Sequence, residues 1–115
     1  MNHTNEQTED IIELDVSKMG GLMFAGRPRG QAVRKKFQLD KIDREGGSVL
    51  MRFPPNIRVL SSSFVLGLLG ESIKYWGSED KFLQHYKFEL TDDFRPTLDQ
   101  GIQKALANYS GLISG

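Results

Sequence analysis

The chain contains no cysteine. That excludes disulfides, thiolate metal ligands and thiol nucleophiles, and it suits a reducing compartment. The two histidines, His3 and His85, carry no metal-ligand motif, so no metal site is expected. No apolar run approaches the ~20 residues a membrane helix needs. The first ten residues are polar and acidic, without the basic start and apolar middle of a secretory signal, so a cytoplasmic placement is expected. Net charge is also lacking. Fifteen Lys and Arg balance fifteen Asp and Glu, which leaves no global field to draw the chain to nucleic acid or anionic lipid. Glycine-rich phosphate loops are missing too. Gly26-Arg27-Pro28-Arg29-Gly30 has no Lys-Ser/Thr ending, and no Gly-x-Gly-x-x-Gly occurs. No cofactor is expected, and no catalytic motif stands out.

What remains is an ordinary globular composition. The 115 residues are 38% hydrophobic and 26% charged, enough for one domain with one core. Residues 1–10 have almost no apolar side chain and are expected to form a disordered tail. Residues 11–110 are expected to form the domain, and residues 111–115 a C-terminal tail.

The centre of the chain is the stretch from Ser48 to Trp76. Val49-Leu50-Met51-Arg52-Phe53 reads as a buried central strand covered on both faces, with Arg52 in need of a partner. Pro54-Pro55-Asn56 ends it, and Ile57-Arg58-Val59-Leu60 is extended. Phe64, Val65, Leu68, Leu69, Ser72, Ile73 and Trp76 then form a wide apolar stripe, so a helix is expected from Ser62 to Trp76 with Gly77 as its stop. Gly67 and Gly70 each cost about 1 kcal/mol in a helix interior, which suggests close approach to another backbone.

Around this centre, alternation at Ile12, Leu14 and Val16 predicts a strand. The pair Gly20-Gly21 predicts a turn, and Leu22-Met23-Phe24-Ala25 a second strand folded back as a hairpin. Ala32, Val33, Phe37 and Leu39 recur at helical spacing, with Arg34, Lys35 and Gln38 left to water, so residues 29–39 should be helical. Residues 40–47 read as a polar connection. A helical turn at Phe82-Leu83 and a strand at Tyr86-Lys87-Phe88-Glu89-Leu90 follow. Leu98, Ile102, Ala105, Leu106 and Tyr109 lie on one face of a last helix that Gly111 should end. Strands alternating with helices predict an α/β fold, a four-stranded mixed sheet with about three helices packed on it.

This order resembles the STAS-like domains of unknown function found in bacteria and their viruses, distant relatives of the STAS domains of anti-sigma-factor antagonists. The likeness is carried by Leu60-Ser61-Ser62-Ser63-Phe64 after an apolar strand and loop, by Gly26-Arg27 before the helix holding Ala32 and Arg34, and by the aromatic strand at Tyr86 followed by Thr91-Asp92-Asp93. It implies a STAS-like layered fold and a non-enzymatic regulatory module. It also implies a protein partner, a GHKL-type ATPase or kinase, that phosphorylates a serine at the start of the central helix. That role falls on Ser62, with Ser61 and Ser63 beside it. The sequence departs from the family pattern in having Leu60-Ser61 before this serine and Ser63-Phe64 after it, and Arg52 where an acidic residue is usual.

Read without the family, Ser61, Ser62 and Ser63 suit a helix N-cap, for which one serine suffices. The other two leave hydroxyls beside free amides and a partial positive charge, a setting for phosphate or a partner's carboxylate. Arg58 lies just upstream and joins the partner-binding candidates. Arg27, Arg29, Arg34 and Lys35 read as a solvated basic patch. An anion or nucleic-acid surface is the alternative use, disfavoured by the neutral charge and the absence of interleaved aromatics. A second copy of the chain is the other candidate partner.

Overall fold

The computed structural model describes residues 11–19 and 21–114, with side chains as far as Asn108. The expected N-terminal tail lies outside the described residues. Five strands and five helices, with two short 3₁₀ turns, make up the described part. The strands are β1 (Ile11–Asp15), β2 (Met23–Phe24), β3 (Ser48–Arg52), β4 (Val59–Leu60) and β5 (Tyr86–Glu89). The helices are α1 (Arg27–Phe37), α2 (Leu39–Arg44), α3 (Ser62–Trp76), α4 (Glu79–His85) and α5 (Arg95–Ser114).

The architecture is α/β, but the expected four-stranded mixed sheet is replaced by two parallel sheets. One has the order β1-β3-β5 and the other pairs β2 with β4. The hairpin expected between β1 and β2 is absent because Val16–Met19 turns as a 3₁₀ helix and carries the chain out of the first sheet. Phe24 then aligns with Leu60 instead.

Period-two patterning sets which face of the large sheet is buried. Leu14, Met51 and Phe88 share one row, Ile12, Val49 and Tyr86 the next, and all but Ile12 are buried under the helices. The opposite face carries Glu13, Leu50 and Lys87, then Asp15, Arg52 and Glu89. β3 is therefore covered on one face only, contrary to the sequence expectation: Leu50 and Arg52 are half-buried. Arg52 meets Glu13 at 3.3 Å and Glu89 at 3.1 Å, one from each flanking strand.

Three helices form the covering layer, with α3 between α1 and α5. Phe64, Leu68, Leu69 and Ile73 of α3 are almost fully buried, each worth roughly 2 kcal/mol of apolar transfer. The first helix differs from expectation in its inward face. Ala32 is exposed, while Val33 and Arg34 are buried. Residues 40–47 are no simple connection. Gln38 takes a left-handed conformation (φ 59°), closes α1 through its amide, and starts α2, which buries Leu39, Ile42 and Asp43. The expected turn at Phe82-Leu83 is the two-turn helix α4. At the other end, Gly111 does not stop α5, whose backbone stays helical to Ser114.

The crossing of α1 and α3 is unusually close. A Cβ on Gly30 would stand 2.2 Å from Phe64 O, and one on Gly67 would stand 2.2 Å from Arg27 O. The backbones touch where both helices lack a side chain. Gly70 is different: its Cβ would meet only Leu66 Cδ1, at 3.5 Å. Gly30→Ala and Gly67→Ala should each lower stability in urea denaturation by about 3 kcal/mol or more, since helix must move against helix. Gly70→Ala should instead raise it by about 0.5–1 kcal/mol.

Candidate functional site

Two regions gather polar side chains, one at each half of α3. The first is the helix mouth. Because β2 and β4 are parallel neighbours and each runs directly into a helix, the N-termini of α1 and α3 emerge side by side. Ser61 joins them. Its Oγ accepts from Phe64 N–H of α3 and from Gly26 N–H at the entry of α1, both at 3.1 Å, and its own amide donates to Phe24 O at 2.9 Å. With two donors already on its oxygen, the Ser61 hydroxyl proton points to Ser63 Oγ, 3.1 Å away. Ser61 is thus the structural cap and is spent.

The other two hydroxyls are not. Ser62, half-buried in the first turn of α3, accepts from Lys104 Nζ of α5 at 3.0 Å. Ser63 is exposed. Arg27 and Arg29 on the first turn of α1 are exposed, as is Arg58, whose amide donates to Leu22 O. Arg27 directly follows Gly26, whose amide reaches Ser61 Oγ, while Arg58 precedes β4 and Ser61 follows it. Lys35 is exposed farther along α1, but Arg34 leaves the expected basic patch altogether: only 7% of it is exposed, because it faces α3 rather than solvent.

Arg34 belongs to the second region, a buried polar network between α1, α2, α3 and β5. Its Nη1 donates to Leu68 O and to Ser72 Oγ, each at 2.9 Å. Its Nη2 donates to Asp40 Oδ1 at 2.6 Å and lies 3.5 Å from Asp43 Oδ2. Asp43, 1% exposed, accepts from Ser72 Oγ at 2.5 Å, from Tyr86 OH at 2.7 Å and, more distantly, from Trp76 Nε1 at 3.4 Å. Burial pushes the Tyr86 phenol well above its ordinary value, with the neighbouring Asp43 carboxylate adding to the shift, so Tyr86 stays protonated and remains a donor. Over the network opens a cleft of about 430 Å³, lined by Arg34, Asp40, Asp43, Arg44, Glu71 and Lys74, with Tyr75 at its wall.

His85 flanks the network. Its ring stacks on Trp76 with centroids 3.6 Å apart, and Nδ1 faces Gly47 O at 3.0 Å. No hydrogen bond joins it to a serine among the described residues, so no Ser-His pair is assembled there. Trp76 is half-buried against His85, while Tyr75 beside it is exposed.

Sequence reasoning missed this network. Its signals were a serine in the middle of the apolar stripe of α3 and a tyrosine at an inward strand position, both needing a buried partner. Comparison with family models, with curated proteins and with solved structures finds no significant match in any of the three.

Asp43→Ala leaves Arg34 buried without its inner carboxylate and should cost about 3 kcal/mol or more in denaturant unfolding. Tyr86→Phe removes one donor to a charged acceptor and should cost about 2 kcal/mol. Because Tyr86 is held protonated when folded, its contribution is complete below the ordinary phenol value of 10.0 and is lost as pH rises above it. Wild-type stability should therefore fall more steeply above pH 10 than that of Tyr86→Phe.

Proposed function

We propose that the protein is a non-enzymatic, cytoplasmic, STAS-like regulatory module that binds a protein partner at the paired N-termini of α1 and α3, with Ser62 as a phosphorylation switch. The observation that carries this is the Ser62–Lys104 contact. A half-exposed hydroxyl in the first turn of a long helix already has an ammonium group on its oxygen at 3.0 Å. A phosphate placed there would gain that cation, the free amides of the first turn and the positive end of the helix dipole. Ser61 is the poorer substrate, since its oxygen holds two amides of the fold. The exposed Arg27, Arg29 and Arg58 give the partner surface a basic rim suited to an acidic contact, and the added phosphate would offset that charge. The partner is a GHKL-type ATPase, as the STAS-like resemblance implies, and no cofactor takes part.

The test uses the purified chain with a GHKL-type ATPase from the same genome and γ-labelled ATP. Label should enter Ser62 and be lost in Ser62→Ala. Ser62→Asp should bind the ATPase at least tenfold more weakly than wild type while keeping full stability, because an aspartate in the first turn favours the helix. Equal binding by wild type and Ser62→Asp, or label confined to other residues, would overturn the reading.

A further inference from the structure

We propose that the cleft above Arg34 receives the carboxylate of a small organic acid, which takes the place of Asp40 on the Nη2 edge of the guanidinium. The two edges of Arg34 are in different situations. Nη1 is locked into the core by Leu68 O and Ser72 Oγ. Arg34 and Asp40 both line the cleft, and the short contact of Nη2 is to Asp40 Oδ1 at 2.6 Å. Asp43 is a poor substitute there, since it sits 3.5 Å away and both its oxygens already hold hydroxyl donors. The close partner of this pre-oriented, desolvated edge is therefore the Asp40 carboxylate, with Asp43 second at 3.5 Å.

That carboxylate is open to solvent. The Asp40 side chain is 70% exposed, against 8% for Arg34. It lies in the first turn of α2, a helix of only six residues entered through the left-handed Gln38. A rotamer change would carry it into water and leave Nη2 with only its 3.5 Å contact to Asp43.

Charge selects the ligand. Arg34, Arg44 and Lys74 face Asp40, Asp43 and Glu71, so the lining is balanced at three of each sign. A monocarboxylate exchanging with Asp40 preserves that balance at the floor. A phosphate dianion would add charge beside the buried Asp43 and the exposed Glu71 and is disfavoured. The planar carboxylate also matches the guanidinium edge. The exposed ring of Tyr75 offers the organic part an apolar wall, and about 430 Å³ accommodates a metabolite-sized acid.

The experiment titrates sodium acetate into wild type, Asp40→Ala and Asp40→Asn, reading the Arg34 Nε–H and the α2 amides by NMR. Sodium chloride and sodium phosphate at matched ionic strength are the controls. Acetate should shift Arg34 in all three proteins, with a midpoint at least tenfold lower in both variants, where the tethered competitor is gone. Chloride should have no such effect, and phosphate should act more weakly than acetate. Asp40→Asn keeps the side-chain volume and so separates competition from altered packing. The proposal is overturned by variants that do not distinguish acetate from chloride, by equal midpoints in wild type and variants, by a wild type that never responds, or by phosphate binding more tightly than acetate.

Discussion

Contact between the α1 and α3 backbones at Gly30 and Gly67 is the constraint on which both polar regions depend. On one side of the crossing, the chain leads back to the parallel β2–β4 pair, so the helix mouths lie near enough for one serine oxygen to accept an amide from each. On the other side, one turn beyond Gly30, Arg34 meets Leu68 and Ser72 of α3. A side chain at either glycine would separate the helices. Ser61 would then reach only one of its two amides, and Arg34 would lose contacts that make its burial tolerable. The price of such proximity is two glycines in helix interiors, roughly 1 kcal/mol each, which is small beside the core it allows.

The buried network follows a different logic. An ion pair in a protein interior seldom beats an apolar replacement in stability, because desolvation consumes most of the Coulomb attraction. Here Arg34 and Asp43 are shielded by Ser72, Tyr86 and Trp76, which complete most of their hydrogen bonds. Such a set ties α1, α2, α3 and β5 in one relative arrangement, since each member has directional partners on other elements. It also places Arg34 among the residues lining a cleft, where an apolar core would have placed no charged group.

The open face of the large sheet gives α3 its burden. The inner face of β1, β3 and β5 and the small β2–β4 sheet share one core with the helical layer, and α3 occupies the middle of that layer. Its residues meet the sheet below and helices on both sides, which is why its apolar stripe is so wide. Among the described residues no element covers the outer face, where Arg52 pairs with Glu13 and Glu89 across three strands. Such one-sided burial departs from the usual two-sided cover of a parallel sheet, so the apolar run of β3 does not imply cover on both faces.

Local periodicity was a sound guide wherever a segment's own pattern settled its structure. The strands at Leu14, Val49–Met51 and Tyr86–Phe88 and the extent of α3 were legible because alternation and the 3.6-residue stripe arise from chain geometry alone. The serine cap at the start of α3 was legible for the same reason: free amides in a first turn call for a nearby oxygen. Partner choice was not. Phe24 could pair with β1 or with Leu60, and only the turn at Val16–Met19 and the packing of α1 on α3 selected the latter. Arg34 looked like a surface residue since nothing near it in sequence announced Ser72 or Asp43, which arrive from 38 and 9 residues away. Composition and spacing thus decided which segments form elements and which face of each is apolar. Which polar groups share a buried site was decided by folding, because hydrogen bonds between distant residues exist only once the helices have been laid against one another.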